Sequence, residues 1–246
     1  MSGHSKWATI RRKKEKTDSA RGKVFTKLGR EIMMAVREGG GPNMDGNIRL
    51  KETLIRAKAA NMPNDNIKRL IDKAAGAADG SSFEEFNYEG YGPGGTAIIV
   101  SVMTDNRNRT APEIRYIFDR AGGTLGATGC VSYMFDRKGI IIIDNAGKKS
   151  EDDLMMLALE AGAEDFSGED GIYEIITAPQ DIIAVREALG AAGVELASAE
   201  VLLVPQTTND VTGETAEKIV RLIETLEEND DVQNVYHNAE IPEEYI

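Results

Sequence analysis

Apolar positions in the first third of the chain recur at helical spacing. Val24, Leu28, Ile32 and Val36 fall every four residues, with Phe25 beside them. They form one stripe, which predicts a helix from a cap at Asp18 or Ser19 to about residue 38. Gly39-Gly40-Gly41-Pro42 then stops it. A second helix over residues 47–60 carries Leu50, Leu54 and Ile55 inward and is broken by Asn61-Met62-Pro63. Asn64 can cap a third, with Ile67, Leu70, Ile71 and Ala74 on its apolar side and Gly76 at its end. Residues 1–78 therefore read as an all-helical domain with an N-terminal arm.

Strand periodicity takes over afterwards. Residues 84–91 and 96–104 read as strands joined by Gly92-Pro93-Gly94-Gly95. Thr110-Ala111-Pro112-Glu113 has the form of a capping box with proline in the first turn, so a helix is predicted over 110–121, stopped by Gly122-Gly123. A hairpin with one helix leaves a sheet edge and an apolar face uncovered. Residues 130–204 repeat the pattern at greater length. They predict a hairpin (131–136 and 139–144), a helix (151–161), short strands (164–166 and 171–177), a helix (180–192) and a last strand (195–204). Beyond Pro205 remain a helix over 212–228 and a strand over 231–237, the pieces that the unit after residue 79 lacks. The expected fold is α+β: the helical domain, then two ferredoxin-like units. The unit 130–204 is inserted into a discontinuous domain made of 79–129 and 205–246.

Charge divides the chain near the first of these boundaries. Residues 1–75 hold 18 Lys or Arg against 8 Asp or Glu, and residues 76–246 hold 11 against 33. The first thirty residues alone carry ten cations and two acids, in a protein whose total is −12. A run of like charges repels itself and gains most when a polyanion supplies the counter-charge. No apolar run approaches the roughly 18 residues of a membrane span, and the N-terminus lacks the hydrophobic segment of a secretory signal. The single cysteine, Cys130, excludes an internal disulfide and reads as a packing residue. A cytoplasmic protein is expected.

The candidate nucleic-acid-binding residues are His4, Ser5, Lys6, Trp7, Arg11, Arg12, Lys13, Lys14, Lys16, Arg21, Lys23, Lys27 and Arg30. Lys23, Lys27, Arg30 and Arg37 fall nearly opposite the apolar stripe, so one helix can pack and present cations at once. Trp7 is the only tryptophan, and an indole among cations can stack on a base while they track phosphates. It can equally pack on the next helix. A second candidate is the stretch 105–110, where Asn106, Arg107, Asn108 and Arg109 lie between a strand and a helix. Arginine forks there suit phosphate or carboxylate; alternatively the asparagines make turn hydrogen bonds and the arginines pair with local acids.

Catalytic signals are lacking. The glycine-rich stretch 122–129 follows a helix and leads into a strand, the wrong order for a phosphate loop, and no Gly-Lys-Ser/Thr occurs. His4 and His237 lie far apart without metal-ligand spacing. The acidic clusters 151–153 and 227–231 read as helix-end charges facing water. No enzyme, metal or cofactor is expected.

Gly3-His4-Ser5-Lys6-Trp7 and Arg21-Gly22-Lys23-Val24-Phe25-Thr26-Lys27 resemble the opening of the YebC/PmpR family. The resemblance continues at Asn61-Met62-Pro63, at residues 88–96 and 105–110, and at Val235-Tyr236-His237-Asn238, so it spans the chain. It implies the discontinuous domain arrangement above and a DNA-binding transcriptional regulator. Related proteins imply a second reading, a translation factor that binds ribosomal RNA or tRNA and relieves ribosome stalls on proline-rich sequences. Cations on phosphates do not distinguish the two. No helix-turn-helix with a recognition helix stands out, and no dimer signature, so a monomer is expected. A third class is an acidic protein-interaction scaffold.

Overall fold

The computed structural model describes residues 19–43, 46–76, 83–144, 149–169 and 171–245. The first three helices are α1 (Ser19–Glu38), α2 (Ile48–Ala59) and α3 (Asn64–Gly76). They pack Leu28, Ile32, Leu50, Leu54, Met62 and Ile67 into one core. Asn47 caps α2 by accepting from the Leu50 N–H at 2.9 Å, and its amide donates back to the carbonyls of Ala35 and Gly41. The same side chain thus starts one helix and closes the other. Two stripe residues expected inside lie at the surface: Val24 is 40% exposed and Ile55 43%. Val24 lies one turn before Leu28, the first buried residue of the stripe, and Ile55 faces a cleft described below.

Next come β1 (Glu84–Tyr91), β2 (Ala97–Thr104), α4 (Arg107–Arg120) and β3 (Thr124–Leu125). The helix α7 (Gly213–Glu228) and strand β9 (Val232–His237), far along the chain, return to this layer. The sheet runs β3-β1-β2-β9, antiparallel throughout. Ile98, Val100 and Val102 of β2 bury against Ile114 and Phe118 of α4 and Leu222 and Leu226 of α7. Between these two segments the chain makes β4 (Phe135–Asp144), α5 (Glu151–Glu160), β5 (Asp165–Glu169), β6 (Ile172–Thr177), α6 (Ile182–Ala191) and β7 (Leu196–Pro205). Its order is βαββαβ and its sheet runs β5-β6-β4-β7, the ferredoxin-like arrangement. The discontinuous layer has the same composition, two helices on one face of four antiparallel strands, reached in a different strand order. A small parallel pair, β8 (Asn209–Asp210) with β10 (Ala239–Glu240), ties the chain ends of this layer together.

Two local expectations change. The hairpin expected over 131–144 is one long strand: a short 3₁₀ turn at Ser132–Met134 leads straight into β4. Arg137 and Lys138, expected at a turn, sit in register with Leu203 and Leu202 of β7. Gly139 serves close approach rather than turning, because a Cβ there would lie 2.2 Å from Thr177 Oγ1 and 2.9 Å from Ile182 Cβ. Likewise α4 begins at Arg107, not Thr110. Asn106 is its cap, accepting from the Arg109 N–H at 3.1 Å. The Thr110 hydroxyl is drawn elsewhere, to Asp231.

Candidate nucleic-acid interface

The structure sorts the predicted cations by what they touch. His4, Ser5, Lys6, Trp7, Arg11, Arg12, Lys13, Lys14 and Lys16 lie outside the described residues, as does the side chain of Arg21. Lys23 is exposed on the first turns of α1. Lys27 and Arg30 are not presented outward, contrary to the expectation from helical phase. Lys27 Nζ donates to the Glu227 carbonyl at 3.0 Å, in the last turn of α7. Arg30 donates to the carbonyls of Met103 and Asp230 and to Asp231 Oδ1 at 2.8 Å, while its guanidinium lies 5.6 Å from the Phe83 ring. The side of α1 opposite its apolar stripe therefore docks the helical head onto the discontinuous layer.

Asp231 is the centre of that junction. Its side chain is 4% exposed and accepts from Arg30, Arg109, Thr104 and Thr110. Burial pushes its carboxyl up, but the hydrogen bonds from Arg109, Thr110 and Thr104 and the Arg30 charge outweigh this and hold it below the usual carboxylate value. Sequence reasoning placed residues 227–231 at a polar helix exit facing water; one of them is a buried anion. Its partners also account for the second candidate stretch. Arg109 is held by Asp231 at 2.7 Å and Asp105 at 3.2 Å, and Asn106 is the cap. Arg107 pairs with Glu84 at 3.2 Å and lies 4.0 Å from the Phe86 ring centre. Asn108 is exposed, in the first turn of α4. Residues 105–110 are a helix start whose arginines pair with local acids.

The glycine-rich stretch 122–129 is likewise committed internally. The Glu89 carboxylate accepts from the backbone N–H groups of Gly129, Val131 and Ser132 at 2.8, 2.9 and 2.9 Å. Gly129 holds φ +90, which turns its N–H inward. A phosphate would have to displace the chain's own carboxylate. Beside it, burial and the Glu89 charge push the Cys130 thiol up, consistent with a packing role.

Cations that the N-terminal run overshadowed stand on the other two helices of the head. Lys51 and Lys58 on α2, and Lys68 and Lys73 on α3, are exposed and make no ion pair among the described residues. Their signal in the sequence was their position off the apolar stripes of short helices. Together with Lys23 they are basic groups of the head that the structure leaves open to solvent.

A polar cleft of about 500 Å³ lies where the head, the back of the discontinuous sheet and the inserted unit meet. On its head side Arg56 pairs with Glu31, and Arg49 with Glu85 at 2.5 Å and Glu38 at 3.3 Å. Tyr236 is pushed up to about 12, by burial first and the Glu200 charge second. Among the described residues no group of His, Cys, Asp and Glu is arranged to hold a metal ion, and no helix is long and apolar enough to cross a membrane.

These features define a basic helical head locked onto a two-part α+β body. Comparison with known proteins agrees. Residues 5–77 match the TACO1/YebC protein N-terminal domain, and residues 83–239 match the TACO1/YebC second and third domain. The chain belongs to the TACO1/YebC family. It is 58% identical over 242 residues to a probable transcriptional regulatory protein of Pelotomaculum thermopropionicum, covering 98% of this chain and 99% of the relative. A protein of the same description from Desulforamulus reducens is 60% identical over 242 residues, with the same coverage. Among solved structures, a conserved hypothetical protein from Aquifex aeolicus superposes with a TM-score of 0.83 at 48% identity, covering 92% of this chain and 93% of that one.

Proposed function

We propose that the protein is a non-enzymatic, nucleic-acid-binding regulator of gene expression that grips phosphates through its N-terminal arm and the exposed lysines of its head. One observation carries this reading: 18 cations against 8 acids up to residue 75, then 11 against 33. The relatives' description as probable transcriptional regulatory proteins supports it, and duplex DNA is the first partner to test. The docking of α1 by Lys27 and Arg30 removes two cations from the grip and adds a constraint. It holds the acidic body close to the head, so a long polyanion passing the head also meets the body's repulsion. That proximity favours a second reading, a site on a folded RNA surface such as the ribosome, where only a limited patch need be neutralised.

The test is binding of the full chain to a DNA duplex, a single-stranded RNA and ribosomes across a salt series. Neutralising about four to six phosphates gives a slope of log affinity against log salt of roughly −3 to −5. Replacing Arg11, Arg12, Lys13 and Lys14 together by Ala should flatten that slope and leave thermal unfolding unchanged. A salt-insensitive affinity overturns the reading. Trp7→Ala separates the partners: stacking on an unpaired base contributes about 1–3 kcal/mol, which a regular duplex does not offer.

A further inference from the structure

The cleft has an uneven distribution of satisfied and unsatisfied groups. Its head side is neutralised in place by the Arg56–Glu31 and Arg49–Glu85 pairs. Its far wall, built by the inserted unit, holds Arg137 and Arg186, neither of which makes an ion pair among the described residues. They flank the point where Gly139 meets Ile182. Arg137 precedes Gly139 by two residues and so shares its face of β4. Gly139, lacking a Cβ, admits Ile182 at the start of α6, which runs in the same direction as β4, so Arg186 lies one helical turn to the other side of that contact. An anion lying between two flanking guanidinium groups can be reached by both, and their planar forks match phosphate oxygens.

The facing wall is the back of the discontinuous sheet. In the β2–β9 register, Ser101 pairs with Asn234 and Val102 with Val232, so Gln233 is the extra residue of a β-bulge. A bulge lets two successive side chains face one side, and Gln233 and Asn234 both line the cleft. Both polar atoms of the Gln233 side chain are buried without a hydrogen-bond partner among the described residues. A buried primary amide offers two donors and an acceptor, the complement of a base edge. Asn87 and Ser101 stand beside it, and Glu200 can accept from hydroxyl groups. The volume, about 500 Å³, is that of a small-molecule site and excludes a duplex.

We propose that this cleft binds one nucleotide unit, free or at the unpaired end of a strand, with its phosphate between Arg137 and Arg186 and its base against the amides of Gln233, Asn234 and Asn87. The choice of ligand class rests on the nucleic-acid reading above. The site itself is separate from the arm, and its test uses mononucleotides, which are too short to report on the arm. Failure of the arm to grip polymers leaves this test standing, and a cleft indifferent to mononucleotides leaves the arm standing.

The experiment is calorimetric titration of the full-length protein with AMP, GMP, CMP and UMP, with the matching nucleosides, and with inorganic phosphate. At least one mononucleotide should bind about tenfold more tightly than its nucleoside or phosphate alone. Arg137→Ala with Arg186→Ala should weaken it by at least about tenfold. Gln233→Leu keeps the side-chain volume, so the variant should fold with an undiminished midpoint, lose nucleotide affinity and keep phosphate affinity. A 5′-phosphorylated trinucleotide that binds more tightly than the monomer identifies a strand end as the source, and equal binding identifies the free nucleotide. No saturable binding up to about 10 mM overturns the proposal. So does binding that ignores the arginine pair, or inorganic phosphate binding as tightly as every nucleotide.

Discussion

Asp231 and Gln233 stand two residues apart at the start of one edge strand, and their surroundings are opposites. Asp231 brings a charge into the interior and finds two guanidinium groups and two hydroxyls around its carboxylate. Gln233 brings a neutral amide to the cleft wall and finds none. Burying a charge without partners costs far more than burying an amide, so a chain can leave the second unsatisfied where it cannot leave the first. The Asp231 site is a structural lock: its partners come from α1, β2 and α4, and it joins head to body. The Gln233 site has the composition of a place that something else completes.

The largest expected effect breaks the first half of this contrast. Asp231→Ala leaves two arginines facing a site without an anion and should cost about 3 kcal/mol in denaturant unfolding. That is the low end for a broken buried pair, because Arg109 is 44% exposed and stays partly hydrated. Arg30→Ala removes one charged partner and the head's hold on the Met103 and Asp230 carbonyls. It should cost about 2 kcal/mol and make cleavage between residues 77 and 82 faster in limited proteolysis. An unchanged cleavage rate would mean that Arg30 does not hold the head.

The pH dependence should follow with a defined sign. The folded Asp231 carboxyl lies below its ordinary value of 3.8, so the unfolded chain takes up its proton first as pH falls. Its stabilisation is complete above that value and is lost as pH drops through the folded one. The stability gap between the natural protein and Asp231→Asn should therefore be constant near neutrality and narrow below about pH 4. A gap unchanged on acidification would show that the carboxylate charge is not what the lock uses.

Gln233→Leu sharpens the other half. Removing an unsatisfied buried amide should raise stability by about 1 kcal/mol in the free protein, opposite in sign to Asp231→Ala. The smallest effects are expected at the exposed head lysines. Lys68→Ala or Lys73→Ala should shift stability by no more than about 0.5 kcal/mol. Each should lower the salt slope of nucleic-acid binding by about 1 wherever that lysine touches a phosphate.

Much of this molecule was written in its sequence through local rules. Stripes at helical spacing placed α1, α2 and α3, though Asn64, expected as the cap of α3, is its first helical residue. The incomplete layer after residue 79 called for the helix and strand that close the chain, because an uncovered sheet edge and apolar face need partners. The basic head followed from charge counting. Period, caps and charge act over a few residues and are visible in one dimension.

What the tertiary structure alone decided is who meets whom. Helical phase set Lys27 and Arg30 on one side of α1 but not what lies against it, and the body's Glu227 carbonyl and Asp231 carboxylate take them out of solvent. Thr110 had the residue type of a cap, yet Asp231, 121 positions away, claims its hydroxyl and moves the helix start to Asn106. Arg137 resembled part of a turn until β7 extended β4 through it, which puts it on the wall of the cleft that Arg186 also lines. Gln233 gave no signal at all, since a bulge exists only relative to the strand it pairs with. Each of these outcomes depends on burial and pairing between segments remote in sequence, and those energies have no value until the chain has closed on itself.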